Sequence, residues 1–594
     1  MKIVEIIPFT RSAFAPTTLS YFSTKNIGRG DLVKINFRGK ETFAIVEKTK
    51  ELADKKSEVK KSRFALKPIA GIVKEKFLAE EWFSIFEVIS KGMLISPSVV
   101  LTSLFPKALL NPKSAAAIAE AAARRHRKIT AKGTGEERMQ HLRSLVREHF
   151  ARKKSIMILA PRIETLKKLE QGLARGIEKY AYVFSSEILS RKYLDNFNKA
   201  QREEHPVLVL GTYQALTFDR PDLETLVMEE EGSRLWRERE GLPFDVRNIA
   251  QIIAAAKGWT LIFSDQILRI ETIYYAEQGK IEASGPLSGR IQSAVETRLI
   301  EIGEKKENFS WISKELEQEL EESIFKNEKI LLFVNRKGYS SFTLCQDCSR
   351  AQLCPNCSTP FALHAPGTKE RKFLCHHCLK IQEIPIKCAY CGSWKLKDFG
   401  LGIEKVESEF KKIFPKAEGV VIATEKIFSE KEQKFDLTAI ISLDYLFSIP
   451  DFRIGETVFR LVSELKSRTG RKIIAQTRLA ENKILSDALA GNLSGFYQSE
   501  IKSREDFSYP PFSKIIKITR EEKDLSLLKA EAQKALALLE NYHPLSFPAF
   551  HEKIKRRYRW NIILKIPRLE EGLSLILKNI SPSWNIIVDP DSII

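Results

Sequence analysis

Apolar and polar positions change period several times along the chain, and each change marks a candidate element boundary. Through residue 70 they alternate between turn signals, as in GRGDLVKINFRGKETFAIVEK (Gly28 to Lys48), which predicts a small β domain. From Phe77 to Lys107 the period is helical. The stretch SAAAIAEAAARRHRK, ending at Lys128, then reads as a helix or a basic linker. Its charges form a solvated face or, for Arg124, Arg125, Arg127 and Lys128, meet phosphate. Between 129 and 300 the apolar runs IMILAP, VLVLGTY and LIFSD alternate with helical patterns, which predicts a parallel sheet with helices on both faces. A second such region runs from 300 to 485, interrupted by a cysteine-rich insert, and the last hundred residues set NIILKIP and NIIVDP around an Ala/Leu-rich helix in an α+β pattern. The expected class is multidomain α/β. Its boundaries are set at 1–70, 71–118, 119–300, 301–485 with an insert at 344–396, and 486–594.

Length and charge sharpen this picture. A chain of 594 residues exceeds one core, and about three to five domains is the expectation. Its 96 Lys+Arg against 76 Asp+Glu leave +20, which suits a polyanionic partner, because each neutralised phosphate releases counterions. Nucleic acid is favoured over a membrane surface, since no uninterrupted apolar stretch of about 18 residues occurs. The start, MKIVEIIPF, carries Glu5 and no long apolar core, so no secretory signal is read and a cytoplasmic location is expected.

Two segments carry candidate chemistry. KGTGEERM (Lys132 to Met139) stands where a phosphate-binding loop could stand, yet Gly133 and Gly135 are followed by Glu136 and Glu137. A triphosphate would meet two carboxylates instead of an ammonium and a hydroxyl. On its own the segment reads as a turn whose acidic residues start a helix. The second segment holds all eight cysteines, as CQDC, CPNC, CHHC and CAYC between 345 and 391. Four pairs supply thiolates for two tetrahedral Cys₄ sites, and zinc is preferred over iron–sulfur or a disulfide framework. His364, His376 and His377 lie nearby as surface or supporting residues.

Outward from the cysteines the chain resembles the PriA family of primosomal replication restart proteins. The resemblance rests on LLFVNRKGYSSFTLCQDC, CHHC, IPIKCAYCGS and GLGIEKVESEF, and continues through IPDFRIGETVFRLVSELKSRTGR, FYQSEIKSREDFSYPPF and RRYRWNIILK. It implies an N-terminal domain reading a 3′ DNA end, a winged-helix-like domain, two RecA-like helicase lobes, a zinc module inserted in the second lobe and a C-terminal DNA-binding domain. It also implies the zinc pairing: Cys345, Cys348, Cys388 and Cys391 around one ion, and Cys354, Cys357, Cys375 and Cys378 around the other.

The same resemblance exposes departures in the motor. The family's loop ends in Gly-Lys-Thr, which this chain lacks. Its Asp-Glu-Glu-His reads EEEG here (Glu229, Glu230, Glu231, Gly232), and its Gly-Ser-Ala-Thr-Pro reads FSDQI from Phe263. A second-lobe loop is expected to be missing between 426 and 436. Arg468 and Arg471 keep the places of γ-phosphate-sensing arginines, but the preceding Gln is Glu464. The family's Phe-Asp-Tyr element at the DNA end reads LSY, leaving Ser20 and Tyr21 as candidate contacts. In the C-terminal domain Tyr558 and Trp560 beside Arg556, Arg557 and Arg559 suit base stacking, or else a strand edge with its Trp in the core. The expected protein binds stalled, branched or single-stranded fork DNA and holds two Zn²⁺. By resemblance it meets other primosome proteins, single-stranded-DNA-binding protein and the replicative helicase or its loader. ATP/Mg²⁺ use is lost in this expectation. The alternatives are a working 3′→5′ helicase using substitute residues and a zinc scaffold unconnected to replication.

Overall fold

The computed structural model describes residues 2–10, 18–51, 66–113, 126–237, 244–285, 289–302, 310–335, 403–429, 433–448, 451–479, 482–554, 557–580, 584–590 and 593, together with 342–345, 347, 350, 352–356, 361–364, 372–375, 380–383 and 387–399 of the cysteine-rich segment. The chain divides into two compact units, one of residues 1–287 with 569–582 and 586–588, the other of residues 288–568 with 583–585 and 589–594.

The first unit opens with Lys2–Pro8 (β1), Leu19–Ser23 (β2), Leu32–Phe37 (β3), Lys40–Glu51 (β4), Lys67–Pro68 (β5) and Gly71–Lys74 (β6), ordered β5-β2-β1-β4-β3-β6. Period-2 alternation places Val4, Ile6, Val33, Ile35 and Val46 in one buried cluster. Because β6 pairs antiparallel with β3, the boundary expected at residue 70 falls inside this sheet. Helices Glu81–Met93 (α1) and Pro97–Leu104 (α2) follow, with the Trp82 and Phe105 rings edge to face at 5.0 Å.

The larger sheet of this unit comprises Arg127–Lys132 (β7), Ser155–Leu159 (β8), Ala181–Phe184 (β9), Leu208–Gly211 (β10), Leu223–Glu229 (β11), Thr260–Asp265 (β12) and Glu282–Ala283 (β13). Its order is β13-β7-β12-β11-β8-β10-β9 and its pairings are parallel. Strands covered on both faces read as continuous apolar runs, and SIMIL of β8 is buried throughout. The connecting helices are Gly135–Ala151 (α3), Ile163–Leu173 (α4), Ser190–Arg202 (α5), Val246–Lys257 (α6) and Ile270–Glu277 (α7), and α1 packs against α6. Arg127 and Lys128 open β7 and donate to Glu282 and Gln251; Arg124 and Arg125 lie outside the described residues. Since β7, β12 and β11 are adjacent and parallel, their carboxyl ends at Lys132, Asp265 and Glu229 share one edge, where doubly wound sheets bind ligands.

In the second unit the strands Glu296–Glu301 (β14), Ile330–Val334 (β15), Val420–Ala423, Phe435–Ser442 and Thr469–Thr477 form a second parallel sheet, in which β14 pairs with Thr469–Thr477. The boundary expected at 300 therefore cuts a strand, because β14 is held by a partner far along the chain. The cysteine-rich insert leaves this sheet after β15 as Phe342–Cys345 (β16), Ala362–His364 (β17), Lys372–Leu374 (β18), Ile381–Glu383 (β19) and Leu396–Phe399 (β20), an antiparallel sheet ordered β19-β18-β17-β16-β20. The fold is thus multidomain α/β with two parallel sheets and a separate inserted antiparallel one. Near the C-terminus, Lys514–Glu522, Arg557–Ile566 and Leu545–Ile554 pair antiparallel. No single helix among the described residues is long and apolar enough to cross a membrane.

Candidate functional sites: the strand-end cleft and the metal centre

At the carboxyl edge of the first parallel sheet the glycine loop folds onto itself. Thr134 caps α3, its hydroxyl accepting from Glu137 N at 3.4 Å while the Glu137 carboxylate accepts from Thr134 N at 2.7 Å, a reciprocal capping box. The Thr134 N–H lowers the Glu137 pKa below the ordinary glutamate value. Gly133 N donates to Asp265 O at 3.3 Å. A phosphate at a helix start needs free backbone N–H groups; here the Gly133 and Thr134 amides are already engaged. Glu136 is exposed beside them. Gly135 is the first residue of α3, and a Cβ at Gly133 would lie 3.2 Å from Glu137 Oε2.

Arg138, which the sequence reading passed over, sits behind the loop. Its Nη1 donates to Gly133 O at 2.8 Å and its Nε to Glu229 Oε1 at 2.7 Å, with side chains only 13% and 5% exposed. Ser264 donates to the other Glu229 oxygen. Burial pushes the Glu229 carboxyl above the ordinary range, and the guanidinium pulls it back. The neighbouring carboxylates turn elsewhere. Glu230, at a left-handed φ of 52°, accepts from Arg162 Nη2 at 3.0 Å and Thr165 Oγ1 at 2.8 Å. Glu231 is buried and accepts from Arg269 N at 2.9 Å and Thr272 Oγ1 at 2.8 Å, its pKa raised by burial. Asp265, inside FSDQI, accepts from Gly232 N at 2.8 Å and Gln266 N at 2.7 Å. An arginine-centred network thus occupies the edge where a nucleotide and its metal would bind, and these residues do not fit ATP/Mg²⁺.

In the second unit, Arg468 is buried and donates to Ile427 O at 2.9 Å and Phe428 O at 3.2 Å, while Arg471 donates to Glu328 at 2.6 Å and Ser323 at 3.1 Å. Both guanidiniums hold main-chain or side-chain oxygens of their own sheet's surroundings. The region of the expected loop loss carries a short 3₁₀ turn, Glu425–Ser429, before Phe435–Ser442.

The insert brings Cys345, Cys388 and Cys391 together, with their sulfurs within 4.8 Å of one another. Among the described residues this is the one such group of three or more donors. Cys345 Sγ and Cys391 Sγ are 3.5 Å apart. That is far beyond a disulfide bond of about 2.05 Å, and close to the separation of about 3.8 Å between two sulfurs each 2.3 Å from a tetrahedral zinc. The turn is shaped to present sulfur: Gly392 adopts φ 72°, Gly392 N donates to Cys388 O at 3.0 Å, and Tyr390 N and Gln352 Nε2 approach Cys388 Sγ at 3.4 and 3.3 Å. Such N–H donors stabilise a ligating thiolate. The donor set fits a soft tetrahedral cation, with Cys348, the expected fourth ligand, outside the described residues. Cys354 and Cys375 are buried together against Phe361 and Phe373, whose rings stack at 5.1 Å; their expected partners Cys357 and Cys378, like His376 and His377, lie outside the described residues. His364 ends β17.

Of the candidate DNA contacts, Ser20 is exposed on β2, while Tyr21 is buried and its hydroxyl donates to Asn36 O at 2.8 Å. In Arg557–Ile566, Arg557 is exposed, Tyr558 is half-buried, and Arg559 pairs with Glu521 at 2.8 Å. Trp560 is half-buried and donates from Nε1 to Ser546 Oγ at 2.8 Å; Arg556 lies outside the described residues.

No protein-family model matches the chain. The chain is 26% identical over 497 residues to the replication restart protein PriA of Bacillus subtilis (strain 168), covering 76% of this chain and 60% of that protein. It is 24% identical to the Haemophilus influenzae PriA, covering 74% and 64%, and 26% identical to that of Borreliella burgdorferi, covering 72% and 70%. The chain therefore spans about three-fifths of the Bacillus relative's length. Among solved structures, yeast Dbp5 bound to RNA and ADP BeF3 aligns over 72% of this chain and 98% of its own at 11% identity and a TM-score of 0.32. The E. coli DExH-box NTPase HrpB aligns over 60% and 39% at 12% identity and 0.28. Likenesses this weak add nothing to the fold that the sheet order establishes.

Proposed function

We propose that the chain, which is similar to PriA replication restart proteins over about three-quarters of its length, is itself a replication restart protein that binds branched or single-stranded fork DNA as a scaffold and does not turn over ATP. The observation that carries this reading is the Arg138–Glu229 pair beneath a self-capped glycine loop. Phosphoryl transfer relies almost entirely on positioned cations and donors around the γ-phosphate. At this edge a protein cation is already neutralised by a protein carboxylate, and the loop's amides serve Glu137 and Asp265.

DNA binding draws support from the +20 balance, which favours phosphate contacts without sequence readout. Ser20 and Arg557, both exposed, are available for such contacts. Cys345, Cys348, Cys388 and Cys391 would hold one zinc ion and Cys354, Cys357, Cys375 and Cys378 a second, and structural zinc would supply the folding energy of the insert. The family supports other primosome proteins, single-stranded-DNA-binding protein and the helicase loader as partners, in the cytoplasm. Isothermal titration of the full chain with ATP/Mg²⁺ and with a three-way fork tests the pair of claims. Binding of fork without nucleotide is expected; micromolar ATP binding would overturn the scaffold reading.

A further inference from the structure

The last turn of the insert displays aromatic side chains that the fold leaves in solvent. Trp394 is 75% exposed and Tyr390 44%, whereas the chain's other six tryptophans are buried or half-buried. A single exposed apolar side chain is ordinary, but here the two are grouped and charged on their flanks. Tyr390 sits at the tip of the sulfur-bearing turn and Trp394 leaves it, with Cys388 N donating to Ser393 O at 2.6 Å across the base. The Arg350 guanidinium lies over the Tyr390 ring at 5.2 Å. Lys387 and Lys395 are exposed on either side of the turn, and Asp347 takes Lys395 at 3.1 Å in a solvent-exposed pair. Such a pair is weak and yields readily to a phosphate.

Arginine on an aromatic face, further exposed aromatic surface and flanking lysines are the elements of a base-stacking platform, in which rings take the bases and ammonium groups the backbone. A turn tied down by main-chain hydrogen bonds presents these rings with little entropy to lose. We infer that Tyr390 and Trp394 form a stacking site for single-stranded nucleic acid on the cysteine-rich insert. The inference rests on the DNA-binding reading above and adds to it a contact apart from Ser20 and Arg557.

The test uses the full chain, wild type and the variants Trp394→Ala, Trp394→Phe and Tyr390→Ala, each checked for wild-type metal content, with fluorescein-labelled oligo(dT) and a blunt duplex at one salt concentration. Stacking on an aromatic contributes about 1–3 kcal/mol per base, so Trp394→Ala is expected to weaken oligo(dT) binding about fivefold or more. Trp394→Phe should recover most of the loss, and duplex binding should stay within about twofold of wild type. Wild-type binding of oligo(dT) with unchanged affinity in both alanine variants would overturn the inference and leave the scaffold reading intact; it would assign the patch to a protein partner. An equal loss on oligo(dT) and duplex would also overturn it, since charge or fold would then be responsible. A wild-type chain that binds neither probe would overturn the DNA-binding reading itself.

Discussion

Replacing Arg138 with Ala removes the guanidinium that faces Glu229 at 2.7 Å and also frees Gly133 O. Both side chains are nearly enclosed, at 13% and 5% exposure, so solvent screening does little to soften the loss. Breaking such a buried pair from one side costs about 3–5 kcal/mol, because the remaining carboxylate stays desolvated. At about 2–4 °C per kcal/mol, melting of the unit that contains it should fall by roughly 6–20 °C. The deficit should depend on pH. Burial already raises the Glu229 pKa in the folded chain, and removing Arg138 raises it further. A carboxyl raised above its unfolded value favours folding at pH below that value and loses this contribution as pH rises through its folded value. The variant's deficit should therefore be larger at pH 8 than at pH 5. Urea melts at both pH values, with hydrogen exchange read over 133–151 and 223–236, measure it. Arg138→Met with Glu229→Gln should recover much of the stability, since neither position then leaves an unpaired buried charge. A loss below about 1 kcal/mol in Arg138→Ala, equal at both pH values, would refute the reasoning.

Elemental analysis should return two zinc ions per chain, and Cys345→Ser or Cys354→Ser should each lose one while leaving hydrogen-exchange protection of the two parallel sheets unchanged. Chelation of the wild-type metal should melt the insert before either sheet, measured by limited proteolysis between 342 and 399. Fork affinity should fall steeply and linearly in log–log form with salt, and Arg557→Ala should shallow that slope by about one, the share of a single phosphate contact; an unchanged slope would remove Arg557 from the interface.

Local patterns made much of this structure legible. Continuous apolar runs such as SIMIL became the buried strands of a parallel sheet, and GTGEE, read as a turn whose acidic residues start a helix, became the Thr134–Glu137 capping box. Three of the four ligands expected around one metal meet in space. The failures share a cause in long-range pairing. β6 and β14 looked like neighbours of the segments beside them, but each is claimed by a strand distant in sequence. Arg138 was hidden for the same reason. Its role exists only because β11 ends next to β12 and β7, which brings Glu229 under the loop from 91 residues away. One basic residue among 96 carries no such mark in the sequence.

A PriA-like chain that grips DNA with its nucleotide edge closed should bind forks without hydrolysing ATP. Steady-state ATP hydrolysis by the purified full chain, with saturating forked DNA whose binding is verified in the same sample, tests it most directly. The expected result is a formed protein–fork complex with turnover no higher than without protein, and no change on Lys132→Ala. DNA-stimulated hydrolysis that Lys132→Ala abolishes would contradict it, because a working motor would then run on the lysine that precedes that loop.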